Sequence, residues 1–295
     1  MIDCICIEAQ INPPENYGEP TILDWKGFNL RPKFLPTGEL VVKDYECQVD
    51  GLRVLLNRHS IQLSNSLHKF YHGNNYCDFT YSQLVKCIDE ICRRFGIEAD
   101  AWQIKKLEFG FNIDVDKKGL DYLSLFLSYK SKNFHPMLHG GRTYGKKSSL
   151  TEYAVKVYDK ALQVRFKDKI KLENEILRIE VHYSCRRKLP KGIVTLSDLT
   201  KQNNITTLWK SFMEILSIIE FQEEKDFSKS TFEERVLFYA STNSEYLKNE
   251  KEIDKKAALI TNSKIKQLKA RFLKTGFREK LLKDIGGKYL TLFCT

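Results

Sequence analysis

The stretch Lys106-Leu107-Glu108-Phe109-Gly110-Phe111-Asn112-Ile113-Asp114 alternates apolar and polar side chains with the period of a β-strand. Leu107, Phe109, Phe111 and Ile113 share one face, which places Glu108, Asn112 and Asp114 together on the other. The same period runs through Ile2 to Glu8, Tyr153 to Lys160 and Ile176 to Ser184, and Leu52 to Leu56 and Ser60 to Leu63 are short apolar runs. Strands of this number and spacing predict an antiparallel sheet, and with the helices below an α+β fold.

Between the strands, Thr80 is suited to cap a helix with Gln83 three residues on. Leu84, Ile88, Ile91, Cys92 and Phe95 then recur at helical spacing until Gly96 ends the run. This helix is expected to cover one sheet face. Leu120, Leu123, Phe126 and Leu127 suggest a second helix, Pro136 and Gly140-Gly141 a turn region, and the charged stretch Arg165 to Glu175 a helix or a loop.

Beyond Pro190 the pattern becomes helical: Leu208, Phe212, Ile215, Ile218 and Ile219, then Phe232, Val236 and Tyr239, then Ile265, Leu268 and Phe272. Gly276 and Gly286 fall where left-handed C-caps belong. The expected organisation is a first domain over residues 1–200 and a helical region over 201–295.

The 295 residues carry 48 Lys+Arg against 38 Asp+Glu, a net charge of +10. From Lys251 to Thr295 there are twelve cations and four acids, so most of the excess lies in the last segment. A solvated helical face explains a charge run in general, but this concentration points toward a polyanion, with Lys266, Lys269 and Arg271 as candidate DNA contacts. No apolar run is long enough to span a membrane, and the start Met1-Ile2-Asp3 lacks the cation of a signal peptide, so a cytoplasmic protein with no membrane partner is expected. The eight cysteines form no C-x-x-C pair and read as reduced thiols.

Glu108, Asn112 and Asp114 are oxygen donors suited to a hard cation such as Mg²⁺ or Mn²⁺. Glu180 and His182, with Arg178, line one face of the strand Ile176 to Ser184 and are suited to complete the site; a plain cross-strand ion pair is the equal alternative. On the strand Tyr153 to Lys160, Lys156, Tyr158 and Lys160 point one way, so a phenol stands between two ammonium groups. A tyrosine nucleophile attacking phosphorus needs such cations. The segment Gly140 to Ser149 offers Arg142, Lys146 and Lys147 with flexible glycines for a phosphodiester, although the P-loop spacing is absent. Asn65 to Tyr76 mixes aromatics, amides and cations, including Lys69 and Asn75, in a composition that suits single-stranded DNA as well as an ordinary surface loop.

Taken in order, the Met1-Ile2-Asp3 strand, Ser66-x-x-Lys69 through Gly73-x-Asn75, Leu107-Glu108 through Asp114, Gly145-Lys146-Lys147-Ser148, Val157-Tyr158-Asp159-Lys160 and Leu177-Arg178-Ile179-Glu180-Val181 resemble the rolling-circle replication initiators of filamentous phages (gene II type) and related plasmids. The match spans about residues 1 to 190. The resemblance implies an antiparallel-sheet nuclease core and a metal-dependent enzyme that nicks one strand of an origin duplex. Tyr158 would become joined to the 5′ phosphate, with Lys160 as its cationic helper. Glu108, Asp114 and Glu180 would hold the Mg²⁺ or Mn²⁺, with Asn112 and His182 as further ligands. It places Lys69, Asn75, Arg142, Lys146, Lys147, Lys156 and Arg178 at the DNA, and it implies origin duplex and single strand as partners, with a host helicase and polymerase acting on the opened strand. The chain departs from many such initiators in having no H-x-H pair. The rival expectation is a non-catalytic DNA-binding initiator or regulator, with an RNA-binding protein ranked last because Phe109 and Phe111 lie on the apolar face.

Overall fold

The structure, a computed structural model, describes residues 2–35, 41–222, 224–225, 230–240, 252, 261–268, 273–274 and 276–294. Residues Lys269 and Arg271 lie outside the described residues. The chain forms two compact units, Met1–Glu220 with Asp284–Thr295, and Phe221–Lys283.

The first unit is built on an eleven-stranded sheet. Its strands are β1 (Ile2–Gln10), β2 (Leu23–Trp25), β3 (Phe28–Phe34), β4 (Val42–Val49), β5 (Leu52–Leu56), β6 (Ser60–Ser66), β7 (Gln103–Val115), β10 (His135–His139), β11 (Arg142–Ser149), β12 (Tyr153–Asp159) and β13 (Glu175–Tyr183). A separate hairpin joins β8 (Phe126–Tyr129) to β9 (Lys132–Asn133). From edge to edge the large sheet runs β10, β11, β12, β13, β7, β1, β6, β5, β4, β3, β2, with neighbours antiparallel. The long strand whose period decides the fold class is therefore central, between β13 and β1.

Its apolar face makes the core. Leu107, Phe109 and Phe111 are fully buried, beside Ile179 and Val181 of β13 and Val155 and Val157 of β12. Helix α5 (Gln202–Ile218) lays Trp209 and Phe212 on them, Phe212 at 5.7 Å from Phe109 and Trp209 at 5.6 Å from Phe111 between ring centroids. The C-terminal helix, Gly276–Phe293, adds Phe293 to the same layer, and Tyr289 stacks on Trp209 at 4.3 Å. Each large apolar side chain so buried contributes about 1.5–3 kcal/mol, which is why α5, assigned by sequence to the C-terminal region, packs within the first unit.

Helix α2 (Tyr81–Phe95) forms where the Thr80–Gln83 pair predicts it, with the reciprocal capping box made and Gly96 left-handed at its end. Its apolar stripe ends on Phe95, stacked on Phe28 at 4.9 Å and edge-on to Trp102. Helices α1 (Leu67–His72), α3 (Gly119–Leu123) and α4 (Lys160–Lys167) are short and belong to the site described below.

Several expectations give way to tertiary pairing. Residues 142–149 form strand β11 rather than an open basic turn: Gly140 and Gly141, both at positive φ, make a tight hairpin that pairs this segment with β10 and β12. The helix expected over Leu120 to Leu127 ends at Leu123, and Phe126 starts β8. Within Asn65 to Tyr76, Ser66 caps α1, so His68 and Asn75 are buried instead of lying in a surface loop. Gly276 opens the C-terminal helix and Gly286 lies inside it, so neither is a C-cap. Strands β2, β3 and β4 carry too little alternation to be read from sequence; β3 is interrupted by Pro32.

In the second unit, Glu224–Lys225 pairs with Leu273–Lys274, and Phe238 of α6 (Phe232–Ala240) is buried with Leu268 of the helical residues 261–268. Lys266 is exposed on that stretch.

Candidate active site

Strand register brings the second faces of β7, β13 and β12 together. Asn112, Gly110 and Glu108 lie opposite Arg178, Glu180 and His182, which in turn lie opposite Tyr158, Lys156 and Ala154. A one-residue slip in any of these strands would send its polar set into the apolar core, so the register is strongly specified.

The close approach depends on two glycines. A Cβ at Gly110 would stand 2.3 Å from the Ile179 carbonyl oxygen and 2.5 Å from Cβ of Glu180, and one at Gly145 would stand 2.4 Å from Cβ of Tyr158. Gly110→Ala is therefore expected to lower stability by about 1–3 kcal/mol through overpacking, read as a lower urea midpoint; an unchanged midpoint would show that the sheet yields at no cost.

This face is enclosed rather than solvated over most of its length. Glu108 is 6% exposed, Asn112 3%, Glu180 2%, and Arg178 and Lys160 are equally enclosed. A buried charge must be paired, and here pairing is extensive. Arg178 Nε donates to Glu180 Oε2 at 2.7 Å and Nη2 to Asp3 Oδ2 at 2.8 Å, while Nη1 reaches Asn112 Oδ1 at 3.2 Å. Lys156 Nζ bridges Glu180, at 3.0 Å, and Glu108. The Tyr158 hydroxyl donates to Glu180 Oε2 at 3.1 Å. Arg178 and Glu180 are thus ion-paired along one strand, and Lys156 and Glu180 across two.

Helix α1 and the turn after it close the cluster. Ser66, the N-cap of α1, donates to Asp3, and Asn75 Nδ2 donates to the other Asp3 oxygen at 3.0 Å. Asn75 Oδ1 accepts from Lys160 Nζ at 2.7 Å. Lys160 does not lie on the strand as its spacing suggested: Asp159 caps α4 by accepting from the Leu162 N–H, and Lys160 is the first residue of that helix. Its ammonium nevertheless turns into the cluster, 6.0 Å from the Tyr158 ring centroid.

Burial raises the Tyr158 phenol well above its ordinary value, and the neighbouring Arg178 only partly offsets this, so the resting side chain is neutral. Burial also raises the Glu180 carboxyl, but Arg178 and Lys156 outweigh it and hold that group down at about 2. Lys156 keeps its proton because Glu180 and Glu108 overcome the effect of burial. Lys160 is pushed down to about 7, first by burial and then by Arg178. Between about pH 7 and the ordinary lysine value of 10.5 the unfolded chain holds a proton that the folded chain has released, so Lys160 makes stability rise with pH across that window. Urea midpoints over this range should rise more steeply in the native chain than in Lys160→Met; equal slopes would contradict the shift.

The remaining candidates are dispersed. Asp114 is exposed and stands six residues along β7 from Glu108, about 20 Å at the rise of a strand. Asn112 donates its amide to the carbonyls of Asn75 and Tyr76 and accepts from Arg178. His182 Nδ1 lies 2.8 Å from Glu108 Oε1, at the more open end of the cluster. Lys147 pairs in register with Lys156, Lys146 donates to the Phe126 carbonyl, Arg142 is exposed, and Lys69 is paired with Asp168. Arg178 and Asn75, candidates for DNA contact, are committed to the buried cluster.

Asp3 belongs to the cluster without any spacing motif that marks it. Its signal is an acid within the otherwise apolar start of β1, which a charged partner has to answer. Tyr144 stands edge-on to Tyr158 at 6.0 Å, and Gln163 accepts from Lys160 at 2.9 Å; neither is distinguishable by spacing.

Among the described residues no helix is long and apolar enough to cross a membrane. No protein-family model and no curated protein matches the chain. Among solved structures the chain is similar to a rolling circle replication initiator protein from Geobacillus stearothermophilus, at 13% identity and a TM-score of 0.37, over 78% of this chain and 89% of that one.

Proposed function

We propose that this protein is a DNA nicking-joining enzyme that initiates rolling-circle replication of a phage or plasmid, with Tyr158 as the nucleophile. The observation that carries the reading is the Tyr158 hydroxyl on Glu180, with Arg178 and Lys156 paired to the same carboxylate and Lys160 beside the ring. In the reaction the phenolic oxygen bonds to phosphorus, the bond to the 3′ oxygen breaks, and that oxygen leaves protonated. Attack by a 3′ hydroxyl reverses the step without loss of the linkage.

The phenol proton needs an acceptor. Glu180 is the group it already faces but, held at about 2, is a weak base; Lys160, at about 7, is the stronger one. Tyr158 is 4% exposed, so substrate entry requires the cover over it to move; Tyr144 of β11 stands edge-on to its ring and Lys160 of α4 lies beside it.

For a divalent cation, Glu108 with His182 would offer an oxygen and a nitrogen at the cluster's open end, Glu108 giving up its contact with Lys156. Such a pair suits Mn²⁺ better than Mg²⁺. An ion held there would polarise the scissile phosphate. Asp114 and Asn112 do not converge with this pair.

The test is incubation of the protein with a labelled single-stranded oligonucleotide pool and Mn²⁺ or Mg²⁺, followed by a denaturing gel for a covalent protein–DNA band. The enclosure of Tyr158 favours one second reading, a non-catalytic DNA-binding initiator or regulator. Absence of the band with either metal, on single strands and on supercoiled plasmid, selects it.

Duplex binding is assigned to the basic C-terminal region. Deleting that region would also remove Tyr289 and Phe293 from the core, so charge substitution is the sounder probe. Replacing the exposed Lys264 and Lys266 by Gln should reduce the salt dependence of duplex binding by up to about two ion equivalents; an unchanged slope would remove this assignment.

A further inference from the structure

Apart from the charged cluster, α1 and the turn that follows it gather His68, His72 and Cys77. One ring nitrogen of each histidine and the thiol sulfur lie within 4.8 Å of one another. The histidines are four residues apart on α1 and so share a face. Gly73, at φ 73°, then reverses the chain, and the Asn74 side chain accepts from the backbone N–H groups of Tyr76 and Cys77, which fixes the thiol opposite the two rings.

Three observations point to a ligand. His68 is fully buried, and its Nε2 lies 3.1 Å from Cys77 Sγ. Nε2 of His72 is buried with no hydrogen-bond partner among the described residues, an arrangement that proteins rarely leave unanswered. The spacing is within reach of a metal: bonds of about 2.0–2.1 Å to nitrogen and 2.3 Å to sulfur at tetrahedral angles place ligand atoms about 3.5 Å apart, against 3.1 Å for His68 and Cys77 and at most 4.8 Å for the three here.

We propose that His68, His72 and Cys77 bind one Zn²⁺ ion, at a site separate from Tyr158. Two imidazoles and a thiolate are donors for a borderline transition metal, and the set has no oxygen ligand for Mg²⁺ or Ca²⁺. On binding, the Cys77 S–H bond breaks, the sulfur–zinc bond forms, the proton passes to solvent, and water takes the fourth position. The ion ties α1 to the far side of the turn. Asn75 sits within that turn and holds Asp3 and Lys160, so the metal restrains the roof of the charged cluster without belonging to it.

The test uses the full chain without a histidine tag, exposed to Zn²⁺ alone, gel-filtered and assayed for metal by mass spectrometry, with Co²⁺ substitution as a spectroscopic probe. About one equivalent of zinc per chain is expected, together with a thiolate-to-cobalt charge-transfer band. Both should be lost in His72→Ala and in Cys77→Ser, and retained in Cys4→Ser and Glu108→Gln. Circular dichroism checks that each variant is folded. A chain that takes up no zinc, zinc retained by both His72→Ala and Cys77→Ser, or a cobalt spectrum of the native chain without a thiolate band would each overturn the proposal, the last without reference to any variant.

Discussion

Tyr158→Phe is expected to yield no covalent protein–DNA species while binding single-stranded DNA nearly as the native chain does. The substitution deletes one oxygen from a side chain 4% exposed, and the ring keeps its contact with Tyr144. The lost hydroxyl donated to Glu180, whose Oε2 still accepts from Arg178, so no buried carboxylate is left unanswered. The effect on joining is large because nothing replaces a nucleophile: a fall on the order of 10³-fold or more is expected. The gel assay for the adduct, run beside a binding titration, checks both halves. An adduct that survives would move the nucleophile to Tyr144 or Tyr153, whereas loss of binding together with adduct would show that the hydroxyl holds DNA rather than attacking it.

Arg178→Met should be among the most destabilising single changes in the first unit, by about 3–5 kcal/mol. Arg178 is fully buried and pairs with both Asp3 and Glu180; without it Asp3 loses its cationic partner and Glu180 keeps only Lys156. Methionine fills much of the volume, so the loss is electrostatic more than steric. Urea denaturation measures it, and the Asp3→Asn, Arg178→Met pair tests the cause, since neutralising one carboxylate should recover part of the loss. A shift smaller than about 1 kcal/mol would mean that water answers the carboxylates. The same pairing makes the fold acid-sensitive. Glu180 is held below its ordinary value of 4.5, so its contribution is complete above that pH and is lost as pH falls through 4.5 toward 2.

Local signals made much of the framework legible. Helix α2 is marked at both ends, by the Thr80–Gln83 box and by Gly96, and every residue of its stripe is set by a period that needs no partner. β7, β12 and β13 are equally visible, because a run of alternating residues states which side chains share a face. β11 was missed because its polar composition carries no such alternation, and it exists only because β10 and β12 pair with it. Lys160 reaches the cluster not from the strand, which ends one residue earlier, but as a long flexible side chain from the first turn of a helix.

By itself, then, the sequence determined the α+β class, the caps of α2, and the facts that Arg178, Glu180 and His182 share one face and Lys156 and Tyr158 another. Only tertiary structure decided which faces meet. The insertion of β1 beside β7 brings Asp3 to Arg178 across 175 residues of chain, a separation over which no local period carries information. Tertiary structure also decided that α1, its turn and α4 enclose that face. Enclosure is what pairs these acids with Arg178 and Lys156, because a charge taken out of water has to find its counter-charge within the protein.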